Sequence, residues 1–213
     1  MTAMFASSPD LFDIPILPGL AYRGAVIDVD EEAALIAKID AQPLSPFRFQ
    51  GWIGKRLTAS FGWAYDFDTG SFDRAEPIPD WLLPIRERAA AFAGLDEDDL
   101  VQALLIRYDP GASIGWHRDR PIFNHVVGFS LGTLATMRFR RRRGKGFDRA
   151  AAPLAPRSIY HLSGKARHEW EHSIAELDLT RWSITFRSFT AQAERSRNAM
   201  ESRAFGVDDS RGA

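Results

Sequence analysis

The apolar positions of this chain change rhythm near residue 100. Before that point they come at helical or mixed spacing. Ala21–Val29 reads as a first strand, and Asp30 is expected to cap a helix with Glu31 and Glu32 in its first turn and Ala34, Leu35 and Ile39 on its apolar stripe. Ser45–Tyr65 alternates aromatic with polar side chains, the pattern of a hairpin or strand pair. Residues 66–79, rich in Asp, Gly, Ser and Pro, read as a loop that could lie over a site as a lid carrying Phe67 and Phe72. Asp80–Phe92 is a second helix, with Gly94 just past its end.

From Leu100 onward the apolar runs are short and β-rich. The expected strands are Ala103–Tyr108, Ser113–His117, Val126–Ser130, Ala135–Arg140, Arg157–Leu162, Glu169–Ile174 and Arg181–Phe189. Strands this short and this closely spaced build a sandwich or barrel, not a parallel α/β sheet. The predicted class is α+β, mainly β. It comprises a Pro-rich N-terminal arm (1–20), an extension with two helices and a hairpin (21–99), a β core (100–190) and a polar tail (191–213), together one functional domain.

Composition narrows this picture in three ways. A length of 213 residues with 45% hydrophobic content is enough for one domain with a real core. With Cys 0, disulfides and thiolate-ligated zinc are excluded. The net charge of -1 names no partner by itself. No apolar run reaches membrane-spanning length, and the N-terminus lacks the basic start and apolar core of a secretory signal, so the expectation is a cytoplasmic protein away from membranes.

Candidate chemistry begins at Ile106–Asp119, where His117 and Asp119 stand two residues apart after a Gly-punctuated run. In an extended segment, residues i and i+2 point the same way, so this imidazole and carboxylate can grip one metal ion. A second histidine downstream would complete a two-His, one-carboxylate face, the open-sided site that suits non-haem Fe(II). His125 is expected in a loop, and His161 and His168 bracket a turn at Ser163-Gly164-Lys165 and are expected to be partly exposed. His172 lies in the next strand and is the better ligand. His-x-Asp alone is a weak signal; the rigid Tyr-x-Pro-Gly-Ala lead-in and the strand after His172 strengthen it.

That strand, Arg181–Arg187, alternates without a fault. Arg181, Ser183, Thr185 and Arg187 share one face, while Trp182, Ile184 and Phe186 share the other. If the apolar face enters the core, two arginines flanking two small hydroxyls form the wall of a narrow pocket. Such a wall matches a dicarboxylate, because the guanidinium fork fits a carboxylate and small neighbours leave room. An ordinary exposed strand is the plain alternative.

These residues resemble the AlkB family of Fe(II)/2-oxoglutarate dioxygenases. The likeness runs from about Ser60 to Phe189 and rests on Phe61-Gly62-Trp63, Arg107-Tyr108-x-Pro-Gly-Ala112, His117-Arg-Asp119, Val127-x-x-Ser-Leu131, His172-Ser-Ile174 and Arg181-x-Ser-Ile-Thr-Phe-Arg187. The resemblance implies a double-stranded β-helix (jelly-roll) core, Fe(II) on His117, Asp119 and His172, and 2-oxoglutarate with O2 as co-substrates. It places Arg187 at the C1 carboxylate end of 2-oxoglutarate, and Arg181 with the Tyr108 hydroxyl at the C5 carboxylate. Three positions depart from the family pattern: Ile106 and Ser183 stand where the family often has Asn, and Pro121 where it often has an acidic residue that reads the base edge.

For substrate, the resemblance implies an alkylated base in single-stranded DNA or RNA, taken by a monomer. Adducts to suspect are methyl or etheno groups on adenine or cytosine. Oxidation of the carbon on the base nitrogen would be coupled to decarboxylation of 2-oxoglutarate to succinate, and the hemiaminal would release an aldehyde. Trp63 and Tyr65 are candidates for stacking on the base, with core packing the alternative for Trp63. Arg118, Arg138 and Arg140 are candidates for the backbone. The last two open a basic run through Lys145 that is otherwise a solvated hairpin tip. A hydroxylase or demethylase of a protein or small molecule, and a jelly roll that binds without turnover, are the rival readings.

Overall fold

The computed structural model describes residues 16–49, 52–65 and 72–205. Its frame is two antiparallel sheets. The larger runs in the order β1 (Leu20–Arg23), β11 (Ser158–Leu162), β8 (Phe123–Gly132), β13 (Arg181–Phe189), β6 (Leu100–Tyr108), β3 (Trp52–Phe61) and β2 (Ser45–Phe49). The smaller runs β10 (Gly146–Leu154), β9 (Ala135–Arg143), β12 (Glu171–Ile174) and β7 (Ile114–His117). A separate ribbon pairs β4 (Trp63–Tyr65) with β5 (Phe72–Arg74). Crossing back and forth between two facing sheets is the jelly-roll arrangement that the resemblance implied.

Two apolar layers hold it together. Helices α1 (Val29–Asp40) and α2 (Leu83–Ala93) lie on the outer face of the large sheet, where Leu35, Ile39, Leu82 and Ile85 meet Leu105, Phe129, Ile184 and Phe186. Between the sheets, Val126, Tyr160 and Leu162 meet Met137, Phe139, Leu154 and Ile174. The alternation of β13 is therefore used in full. Ile184 and Phe186, both 0% exposed, face the helices, and the arginine-bearing face looks into the gap between the sheets. Packing Phe186 or Phe129 away from water is worth about 2–3 kcal/mol each.

Several expected boundaries move. The cap of α1 is Asp28 and not Asp30: its side chain accepts from the Glu31 N–H at 2.8 Å, leaving Asp30, Glu31 and Glu32 all in the first turn. The first strand accordingly stops at Arg23. Glu32, drawn from that turn, accepts from the Gly132 N–H and pairs with Arg157, both at 2.9 Å, tying the helix to the end of β8. The second helix starts as a 3-10 turn at Asp80–Leu82 and ends at Gly94 in the left-handed region, φ 67°. β10 was not expected, since Ala150-Ala-Ala-Pro153 lacks β-branched residues. It forms by pairing with β9 along its whole length, and its edge position tolerates Pro153. The arm does not stay on the surface at its inner end, because Leu17 is buried in the core between the sheets. The polar tail opens with a helix, α4 (Ala191–Phe205). Residues 66–71 of the expected lid, Phe67 among them, lie outside the described residues.

Candidate active site

His117 and His172 are direct partners across the β7–β12 ladder, which sets their rings 4.2 Å apart. Asp119 follows the end of β7, and its Oδ2 lies 3.6 Å from His172 Nε2. The ligand atoms of the three all fall within 4.8 Å of one another, the only such cluster among the described residues. His117 Nδ1 sits 2.9 Å from the Gly115 carbonyl, to which it donates, so Nε2 keeps its lone pair for the site. Burial lowers both imidazoles, His172 to about 3, so they are neutral donors at ordinary pH. Burial alone would raise the Asp119 carboxyl, but the Arg187 guanidinium and then the two histidines hold it well below the usual range. Two neutral imidazoles and a carboxylate on one face make an Fe(II)-type donor set.

The other histidines go elsewhere. His125 Nδ1 and His161 Nε2 lie 2.9 Å apart in a pair of their own. His161 is on β11 and buried, contrary to the expectation of partial exposure in a turn, because the turn is replaced by a short helix α3 (Gly164–His168). His168, at its end, is exposed.

The face of β13 toward the gap brings the expected residues together. Tyr108 lies opposite Arg181, and Ser183 lies between Ile106 and Ser130. Arg181 is 1% exposed, with its guanidinium 5.2 Å from the Tyr108 ring centre. Its Nε donates to Ser130 Oγ at 3.1 Å, but among the described residues its buried Nη1 has no hydrogen-bond partner. A buried cation with an unmade hydrogen bond is costly, and a ligand carboxylate would satisfy it. A chamber of about 40 Å³ joins this arginine to His117, Asp119 and His172, with Tyr160 on its wall. Tyr160 packs directly over Gly128, where a Cβ would stand 2.3 Å from the ring.

Arg187, at the other end of the strand, is fully engaged. Its Nη2 and Nε lie 2.9 and 3.0 Å from Asp119 Oδ1. Its Nη1 donates to Gln102 Oε1 at 3.0 Å, while Gln102 Nε2 donates to the Trp63 carbonyl and to Ser60 Oγ. One Asp119 oxygen is thus fixed by the arginine and the other faces His172. Gln102 was not anticipated, although it shares the period-2 face of Tyr108 and Ile106, which is the signal that would have found it.

Above the triad opens a cleft of about 840 Å³. Of the expected substrate residues only Arg118 lines it. Trp63 does not: the bend at Gly62 (φ 79°, with a Cβ only 2.3 Å from the Val101 carbonyl oxygen) turns it into a small core with Val101, Phe123 and Phe189, and it is 9% exposed. Stacking on a base in the cleft is therefore not the place of Trp63. Tyr65 ends β4, and its side chain lies outside the described residues. Arg138 and Arg140 are on the outer face of the small sheet, 5.4 and 4.5 Å from the Trp116 ring. The cleft walls bring in residues that sequence reasoning passed over: Phe47, Arg56, Trp116 and Arg167. Arg56 is 9% exposed and stacks 3.8 Å from the Phe47 ring. Arg167 is buried and donates to the Arg120 and Phe123 carbonyls, which braces the loop after Asp119.

The sequence model of the 2OG-Fe(II) oxygenase superfamily matches residues 57–197. The chain belongs to that superfamily. Within it, the likeness is to the AlkB family. An alkylated DNA repair protein ALKBH8 homolog of Arabidopsis thaliana is 29% identical over 184 residues, covering 74% of this chain and 51% of the relative. A tRNA (carboxymethyluridine(34)-5-O)-methyltransferase alkbh8 of Xenopus tropicalis is 25% identical over 162 residues, covering 74% of this chain and 25% of that protein. The chain thus spans about half, or less, of the length of these curated relatives. Among solved structures, that of OsALKBH1 superposes with a TM-score of 0.62 at 16% identity, covering 81% of this chain and 97% of that one. A Pseudomonas putida prolyl-4-hydroxylase superposes at 0.55 and 15% identity, covering 81% and 93%. These two share the fold.

As a 2OG-Fe(II) oxygenase, the protein uses Fe(II), 2-oxoglutarate and O2. Its residues fit that set on their own chemistry. The three-residue face leaves one side open. The orphaned Arg181 Nη1 is a donor that a carboxylate of 2-oxoglutarate would satisfy.

Proposed function

We propose that this oxygenase oxidises alkyl groups on bases of single-stranded DNA or RNA, removing methyl or etheno adducts of adenine or cytosine. The observation that carries the reading is the lining of the cleft over the triad. It holds Arg56, Arg118, Arg120, Arg167 and Arg187 against Asp119 and Glu171, with Phe47 and Trp116 among the aromatic walls. Such a cleft has room for an extruded base, and Arg118 and Arg120 give its rim positive charge for the phosphates. The names of the two relatives also speak of nucleic acid, alkylated DNA in one and a tRNA uridine in the other. Pro121 at the rim offers no carboxylate to a base edge, so discrimination must come from other wall residues.

In this reading His117, Asp119 and His172 hold Fe(II), which supplies the oxidising chemistry when bound. Arg181 and the Tyr108 hydroxyl take the C5 carboxylate of 2-oxoglutarate, and Ser183 lines the path between the ends. Arg187 stands at the C1 end and, through Asp119, orients a metal ligand. Arg118 meets the substrate backbone. Burial of the chamber excludes water, so each charge-assisted hydrogen bond there is strong.

The test is succinate formation with Fe(II) and 2-oxoglutarate, with and without oligonucleotides carrying 1-methyladenine, 3-methylcytosine or ethenoadenine in DNA and RNA. Repair of a lesion coupled to succinate is the expected result. Succinate without repair of any base would overturn the substrate reading and move the search to proteins or small molecules.

A further inference from the structure

The outer face of the small sheet carries an arrangement that the chamber and cleft do not use. Along β9, Met137 and Phe139 enter the core while Arg138, Arg140 and Arg142 point outward. The β9–β10 register sets Arg149 and Phe147 beside them. Trp116, from β7, completes the face. Cations and rings interleave across it: Arg138 and Arg140 lie 5.4 and 4.5 Å from the Trp116 ring. Arg140, Arg142 and Arg149 lie 4.9, 5.4 and 5.9 Å from Phe147.

Neutralisation of this face is incomplete. On it Glu171 takes Arg140; Asp148 and its partners Arg141 and Arg143 lie on the opposite face of the β9–β10 ribbon. Arg138, Arg142, Lys145 and Arg149 are exposed and have no carboxylate partner among the described residues. On a chain of net charge -1 this is a local surplus, not a general property of the surface. Trp116 and Glu171 line the cleft as well, so the two surfaces are continuous.

We infer that this face is a track for a single-stranded nucleic-acid chain, running from the mouth of the cleft along Arg138, Arg140 and Arg142 to the β9–β10 tip. The inference rests on the nucleic-acid reading above and says where the strand beyond the reacting base goes. A flat antiparallel face with guanidinium groups beside aromatic rings offers both things a single strand presents, phosphates to pair and unstacked bases to rest on a ring. A duplex keeps its bases within its own stack and would leave Trp116 and Phe147 without a role. From Arg138 to Arg142 the strand advances about 14 Å, enough for roughly two to three nucleotides at the extended spacing of a single strand.

The test uses the full chain and fluorescein-labelled, unmodified 15-nucleotide single strands, one of deoxythymidine and one of uridine, with a duplex of the same length. Binding is read by anisotropy across a salt series, for the wild type and for the triple variant R138A/R142A/R149A. Melting and nucleic-acid-independent succinate formation confirm that the variant is folded. The expected result is at least a tenfold loss of single-strand affinity, with the slope of log affinity against log salt falling by about 2, since each lost phosphate contact removes about 0.7. Loss on both single strands supports a backbone track common to DNA and RNA, and loss on one alone supports a track selective for that sugar. Wild-type and variant curves that coincide would overturn the track while leaving the dealkylase reading standing. Tighter wild-type binding to the duplex would overturn the single-strand assignment. A wild type that binds none of the three even at low salt would overturn both readings.

Discussion

Arg181 and Arg187 close the two ends of one strand face, yet their surroundings are opposite. Arg187 has a carboxylate against two of its nitrogens and an amide oxygen on the third. Arg181 is more deeply buried and donates to Ser130, with Nη1 unmatched among the described residues. Among the described residues the Arg187 end of the chamber is thus fully hydrogen-bonded, while the Arg181 end keeps an unmatched donor. On the proposed reading, the difference separates a residue that positions a metal-binding carboxylate from one that receives the co-substrate itself.

The harshest way to break this contrast is Asp119→Ala. It removes a metal donor and strips Arg187 of its partner at once. Succinate formation is expected to fall by about 1000-fold or more, in line with losing a group that acts as one unit with its neighbours. Turnover near that of the wild type would remove Asp119 from the metal face. Arg181→Leu comes next and should act on one end only. The 2-oxoglutarate concentration for half-maximal rate should rise about 100-fold, the scale of a charged hydrogen-bonded pair lost in a buried site. The unliganded protein should melt no lower than the wild type, because an incompletely satisfied buried charge is replaced by an apolar group. An unchanged 2-oxoglutarate requirement would deny Arg181 its carboxylate.

Arg187→Leu should invert that pattern. It leaves the Asp119 carboxylate buried beside two neutral imidazoles, so the metal-free protein is expected to lose about 3 kcal/mol, read by denaturant midpoints in a chelator. Added Mn2+ should recover most of the loss, since the ion then compensates the carboxylate. If the metal-free variant is as stable as the wild type, the two arginines do not differ as argued.

The legibility of the molecule follows the same division. The triad and the arginine strand were readable because each rests on period-2 geometry within a short segment: His117 with Asp119, and Arg181 through Arg187. Pairing of His172 with His117 needed only that the two strands meet. The cleft was far less readable. Trp63 reads equally as base stacking or core packing from sequence because a local bend at Gly62 decides which way it faces, and the distant Val101 carbonyl leaves no room for a Cβ at that bend. Arg56, Phe47, Trp116 and Arg167 come from three strands and a short helix, brought together by sheet order and not by any spacing along the chain. Capping was read two residues late because Asp28 and Asp30 are equally good caps by residue type, and the Asp28–Glu31 bond that decides between them is visible only in the fold.

The histidines outside the triad give the mildest test, and they sharpen the distinction between burial with and without a ligand to serve. His161 is 8% exposed and its partner is His125, not a metal donor. Burial, followed by the His125 charge, lowers it to about 4 from an ordinary 6.5. Since its folded pKa is depressed, folded and unfolded states are equally unprotonated above pH 6.5 and the residue costs nothing there. As pH falls from 6.5 toward 4, the unfolded chain takes up a proton that the folded one refuses, and stability drops by roughly 3 kcal/mol at the acid end. His161→Phe should flatten this part of the stability curve in urea titrations at pH 7 and pH 4.5, with 2-oxoglutarate turnover at neutral pH kept near that of the wild type. A curve as steep as before would assign the acid loss to the buried triad histidines instead, and with it the whole pH response to the metal site.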